Sequence, residues 1–153
     1  MYKIFSIILS LSFTFLNGAN QQIKNYPNGN KKSEGEIKGL FCKHKSGEWV
    51  YYYQNGFIKE EGEYRGLFGS KHGKWISYYE NGQKWKEEDF KRGKYVGIQK
   101  EWYENGQIKA NLNLTNNKMK DGKWISYYEN GQIKDEEYYK ENKSKNTQAF
   151  KIE

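Results

Sequence analysis

The sequence predicts an all-β fold: an elongated antiparallel meander of β-hairpin repeats in a single twisted sheet. Three observations carry that expectation. The dipeptide Asn-Gly recurs with Asn at positions 28, 55, 81, 105 and 130, at intervals of 27, 26, 24 and 25 residues. The residues ahead of it recur as well. Gly-Glu-Trp-Val-Tyr-Tyr-Tyr-Gln-Asn-Gly starts at Gly47, and Gly-Lys-Trp-Ile-Ser-Tyr-Tyr-Glu-Asn-Gly starts at both Gly73 and Gly122. Finally, 18% of the chain is aromatic, which is too ring-rich for a solvated coil despite a net charge of +7. A fixed period of this length marks a repeat architecture, and rings must supply most of its core.

Asn-Gly between β-prone runs is a strong hairpin signal, because a two-residue type I′ turn needs positive φ at both positions. Asn55-Gly56, Asn81-Gly82, Asn105-Gly106 and Asn130-Gly131 are therefore expected to be structural turns. On that register Tyr79 faces Lys84, Ser77 faces Lys86 and Trp75 faces Glu88, and Tyr53, Tyr103 and Tyr128 face Ile58, Ile108 and Ile133. Alternation then sorts side chains to two faces. Trp49, Tyr53, Ile58, Trp75, Tyr79, Tyr103, Ile108, Leu112, Trp124, Tyr128 and Ile133 form the expected core. Tyr52, Tyr78, Trp102 and Tyr127, with Val50, Ile76, Ile125 and Lys59, Lys109 and Lys134, form an amphipathic second face. Two units depart from the pattern. Lys84-Trp85 replaces Ile-Lys, which suggests a bulge or a swap of faces, and Gln99 stands where other units have Trp.

The repeat domain is expected over residues 26–139, about five repeats with the first one partial. A short linker at 20–25 precedes it and a polar tail at 140–153 follows. Residues 1–19 read as a signal peptide: Lys3, an uncharged stretch over residues 4–16, then Gly18-Ala19. The stretch is short for a bilayer span. Export to the periplasm, the cell envelope or the medium is the expectation.

Cys42 is the only cysteine, so no intramolecular disulfide exists, and with two histidines the chain lacks the ligands of a structural zinc site. No metal or cofactor is expected. Ser77 and Ser126, and the Glu-Glu pairs at 60–61, 87–88 and 136–137, repeat with the lattice, whereas a catalytic site would break it. The chain is expected not to be an enzyme. Export and the interleaving of Lys with Glu disfavour nucleic acid. Charge position points to one edge of the sheet. Connections between hairpins carry Lys43, Lys45, Arg65, Lys71, Lys91, Arg92, Lys94, Lys118 and Lys120, while the Asn-Gly turns carry Glu80, Glu104 and Glu129. The basic edge is a candidate surface for an anionic partner; the aromatic face around Tyr52, Tyr78, Trp102 and Tyr127 is the other candidate.

The unit Gly-x-Trp-x-x-Tyr-Tyr-x-Asn-Gly-x-x-Lys resembles the bacterial variant of the MORN repeat, over residues 26–139. Proteins dominated by this variant are often labelled YwqK-like antitoxins, so the resemblance implies a toxin as protein partner. Other MORN proteins are described as membrane-lipid binders or protein scaffolds. Together with export, this favours a binding or scaffold module for a protein partner at the cell envelope. The alternatives are an immunity protein and a binder of anionic lipid.

Overall fold

The computed structural model describes residues 20–115, 119–140 and 143–149. Every regular element among them is a β-strand. In chain order they are β1 (Asn20–Asn25), β2 (Lys31–Lys38), β3 (His44–Tyr52), β4 (Ile58–Arg65), β5 (Ser70–Tyr78), β6 (Lys84–Lys91), β7 (Lys94–Tyr95), β8 (Gly97–Trp102), β9 (Ile108–Thr115), β10 (Met119–Lys120), β11 (Gly122–Tyr127), β12 (Ile133–Lys140) and β13 (Lys143–Ala149). Eleven of them follow one another in a single open antiparallel meander, and the two-residue strands β7 and β10 pair beside it with β6 and β9. The asparagine-glycine turns line one edge and the longer connections line the other. The expected signal peptide and Lys118 lie outside the described residues.

Two boundary assignments change. Residues 20–25 are a strand and no linker: β1 pairs with β2 from Asn20↔Ile37 to Asn25↔Lys31, so the first hairpin is complete. In the polar tail, β13 pairs with β12 from Asp135↔Ala149 to Lys140↔Lys143. Neither segment has apolar alternation. An edge strand presents a row of unpaired N–H and C=O groups, and a polar segment can complete that ladder without contributing to a core.

The turns are three residues long, one more than expected. In the hairpin at Asn81, the Gly82 N–H donates to the Tyr79 carbonyl at 3.0 Å and the Tyr79 N–H donates to the Gln83 carbonyl at 2.8 Å. Gly82 alone takes positive φ (85°); Asn81 does not. This is a type I turn followed by a left-handed glycine, the usual three-residue hairpin loop. Asn81 Oδ1 accepts the Gln83 N–H at 2.9 Å, which explains the asparagine without a left-handed backbone. The other four turns repeat the pattern. The register slips accordingly. Ser77↔Lys86 and Trp75↔Glu88 hold, but Tyr78, not Tyr79, faces Lys84, and Ile58, Ile108 and Ile133 face Tyr52, Trp102 and Tyr127. One residue per hairpin is left over as a bulge: Lys32, Lys59, Trp85, Lys109 or Lys134. Lys84-Trp85 is therefore no special irregularity of backbone, since every hairpin bulges there.

The core also differs from the expected face. Trp49 and Trp75 are each 1% exposed. Around them lie Tyr51, Tyr64, Phe90 and Tyr95, with ring centroids 4.6–6.5 Å apart. Ile108 and Ile133, expected inside, are exposed. Each buried indole lies over a glycine of the preceding strand: a Cβ added at Gly35 would meet Trp49 at 2.4 Å, and one at Gly62 would meet Trp75 at 2.3 Å. The indole N–H groups of Trp49, Trp75 and Trp124 donate to the carbonyls of Glu36, Glu63 and Asn113 at 3.0, 3.1 and 3.0 Å. A single-layer sheet thus buries the rings of Trp49 and Trp75 by stacking each on a glycine of the neighbouring repeat.

Candidate functional site: a tipped edge and two faces

The tyrosine that opens each turn joins consecutive repeats. The hydroxyls of Tyr26, Tyr53, Tyr79 and Tyr103 each donate, at 2.8 Å, to a backbone carbonyl one repeat on, at Tyr52, Tyr78, Trp102 and Tyr127. The turn asparagines Asn55, Asn81 and Asn105 do the same through Nδ2, reaching the carbonyls of Glu80, Glu104 and Glu129 at 3.2–3.4 Å. The bulged lysines Lys59, Lys109 and Lys134 lie 5.3–5.9 Å from the centres of the Tyr53, Tyr103 and Tyr128 rings. In the third hairpin Trp85 takes that place against Tyr79, at 6.0 Å. The turn edge is committed to holding the lattice together.

Two residues assigned to the basic edge are not there. The register shifts near Gly47 and Gly73 (φ 66° and 65°) extend β3 and β5 beyond the tryptophans, so His44–Tyr52 and Ser70–Tyr78 contain Lys45 and Lys71. Lys45 Nζ sits 4.7 Å from the Trp49 ring centre and bonds the Tyr51 hydroxyl at 2.5 Å; burial pushes its pKa down. Lys71 Nζ sits 3.9 Å from the Trp75 ring centre and pairs with Glu60 at 2.5 Å. These cations roof the aromatic stack. Arg65 bonds Glu63 at 2.5 Å. Lys43 and Arg92 remain exposed on the connections, Lys91 and Lys94 are exposed at the end of β6 and the start of β7, and Lys120 falls in β10.

The edge carries something the sequence reading missed. Leu40, Phe41, Leu67 and Phe68 are 85, 94, 81 and 91% exposed. They form two copies of Gly-Leu-Phe, at Gly39 and Gly66, in adjacent connections flanked by Lys38, Lys43, Arg65, Lys91, Arg92 and Lys94. The recurrence was available in the sequence as a repeat within the repeat. The second copy packs against the strand of the first, since a Cβ on Gly69 would lie 2.7 Å from the Lys45 carbonyl. Two strands separate the tips, about 10 Å at roughly 4.8 Å per strand. Monomeric proteins rarely expose large apolar side chains in such a cluster without using them.

On the second face, Tyr52, Tyr78, Trp102 and Tyr127 are half-buried, and pairing with carboxylates anchors the first two. Tyr52 donates to Glu34, and Tyr78 donates to Glu61 at 2.6 Å. Burial first, then the adjacent carboxylate, raises both phenols to about 12. A raised folded pKa means that this stabilisation is complete below the ordinary value of 10.0 and disappears as pH rises toward 12. Between those limits the parent protein should lose more stability than a Tyr52→Phe, Tyr78→Phe double variant, as read by denaturant melts at each pH. Parallel losses would refute the pairing.

Among the described residues, no group of three or more His, Cys, Asp and Glu is placed to hold a metal ion, and no helix is long and apolar enough to cross a membrane. Hairpins stacked side by side in one open sheet, each unit contacting mainly its sequence neighbours, make this a repeat protein of the solenoid kind. A model of the MORN repeat variant matches residues 45–65, 71–92, 95–116 and 120–141, and the chain belongs to that family. The matched segments coincide with the last four hairpins; the first hairpin, β1–β2, precedes them. No curated protein matches the chain.

Proposed function

We propose that this protein is an exported, non-enzymatic scaffold of the cell envelope that docks on an anionic membrane surface through its connection edge. The observation that carries the reading is the pair of Gly-Leu-Phe tips, apolar side chains almost wholly in water with cations at their base. A bilayer interface offers apolar depth and anionic head groups at matching positions, so insertion of the tips and attraction of the cations reinforce each other. Each cation is worth only about 1 kcal/mol near an anionic surface, so tips and charges must act together.

The full chain should float with vesicles containing anionic phospholipid and much less with neutral phosphatidylcholine vesicles. Replacing all four tip residues (Leu40→Ser, Phe41→Ser, Leu67→Ser, Phe68→Ser) should weaken binding about a hundredfold, given about 0.8 kcal/mol per buried CH₂. Charge reversal at Lys43, Lys91 and Lys94 should have a similar effect, and salt should mimic it. Equal flotation of parent and tip variant would overturn membrane docking. A protein partner, such as the toxin implied by the antitoxin label, would then be the better reading. A full-length protein found in the cytoplasm of native cells would remove export.

A further inference from the structure

The positions before and at the repeat tryptophan follow a size rule. Gly35 precedes Trp49 and Gly62 precedes Trp75, and both indoles are buried. Leu112 precedes Trp124, which is only half-buried. In the remaining repeat Glu88 stands in the glycine place and Gln99 stands in the tryptophan place. Beside Gln99 lies a hollow of about 320 Å³ on the ring face. Leu112, Leu114 and Trp124 give it an apolar wall, and Lys86 and Glu88 stand at its rim. Gln99 is 4% exposed, and its Nε2 donates to the Val96 carbonyl at 3.0 Å. Its Oε1 is buried and accepts no hydrogen bond. A buried carbonyl oxygen without a donor costs free energy that a ligand can recover.

We infer that this hollow is a binding site for an aromatic ring bearing an N–H or O–H donor, an indole above all. Such a ring restores the missing member of the tryptophan row, with its edge donor on Gln99 Oε1 and its faces against Leu112, Leu114 and Trp124. The volume is at the small end of ligand pockets and suits one ring system and no larger cofactor. Lys86 is held by Glu101 at 2.8 Å, and burial raises the pKa of Glu88, so the rim favours a neutral guest. The ring can reach the site as a free small molecule or as a tryptophan side chain of a partner protein. The site lies on the sheet face, apart from the Gly-Leu-Phe edge, and is independent of membrane docking.

The test is a titration of the full chain with indole, 1-methylindole and N-acetyltryptophanamide, followed by amide chemical shifts. Indole should shift Gln99, Leu112, Leu114 and Trp124, and 1-methylindole, which lacks the donor, should bind about tenfold more weakly. Binding of N-acetyltryptophanamide alongside indole assigns the site to a partner's side chain; binding of indole alone assigns it to a free ring. Gln99→Leu should remove the difference between indole and 1-methylindole. Combining Gln99→Trp with Glu88→Gly should fill the hollow and abolish binding. Equal affinity of the parent for indole and 1-methylindole, or absence of shifts at these residues, overturns the inference even if the filled variant does not fold.

Discussion

Trp75→Ala should destabilise the protein by about 3–5 kcal/mol, the cost of emptying a fully buried aromatic position. Trp75 is 1% exposed and stands at the centre of the ring row. Tyr64 meets it edge-on at 4.9 Å, Phe90 at 6.4 Å and Tyr51 at 6.5 Å, and Lys71 lies over its face. Among the described residues no second layer exists to collapse into the space, so relaxation can refill little of it. The loss also strands the Glu63 carbonyl that accepts the indole N–H. Against a total stability of about 5–15 kcal/mol, that is a large fraction. Trp124→Ala, at a half-buried site beside Leu112, should cost clearly less. Denaturant unfolding of the two variants makes the comparison, and equal losses would mean that the tryptophan row does not form the core. In a sheet where each repeat contacts its neighbours, a break at Trp75 should also separate the unfolding of the two halves.

The fold was legible because its signals are local. Asn-Gly at a period of 24–27 residues specifies hairpins, and hairpins in series specify a meander. The turn length was not legible. A two-residue and a three-residue loop both place glycine at positive φ, and only the asparagine backbone and the carbonyl reached by the Tyr79 N–H distinguish them. That single residue paired Ile58, Ile108 and Ile133 with Tyr52, Trp102 and Tyr127 beside the turns, but the bulge then restores the expected register. By the expected pairing Tyr51, Tyr64 (opposite Gly47) and Phe90 (opposite Gly73) belonged to the tryptophan face. They went unrecognised as core because they stand outside the repeated Trp-to-Asn-Gly unit or beside polar neighbours. The same limit applies to the site. Lys45 and Lys71 read as loop charges because each precedes the glycine of its unit, yet the bulge at that glycine keeps them in strands over the rings. Leu40-Phe41 and Leu67-Phe68 were passed over because large apolar residues are ordinarily assigned to interiors. Their exposure depends on the connection's path, which local pattern does not encode.

The glycine beneath each of the two buried indoles supplies the second large effect. Gly62→Ala should cost about 1–3 kcal/mol, the range for overpacking a filled core. A Cβ at Gly62 would lie 2.3, 2.5 and 2.6 Å from ring carbons of Trp75, distances no real contact holds. The backbone there is ordinary strand, so alanine brings no conformational strain, and the helpful loss of unfolded-state freedom is small beside the clash. The indole cannot simply slide away, because its N–H is tied to Glu63 and Tyr64 closes on its edge. A double-mutant cycle isolates the contact. Trp75→Leu alone should be costly, but adding Gly62→Ala to it should cost little, since the Cβ then enters space that the indole has left. The coupling between the two substitutions should reach about 1–3 kcal/mol with the sign of relief. The chain has run a version of this cycle itself, with Glu88 opposite Gln99 and Leu112 opposite a half-buried Trp124. If Gly62→Ala costs the same with tryptophan or leucine at position 75, the glycine serves the strand backbone and not the ring.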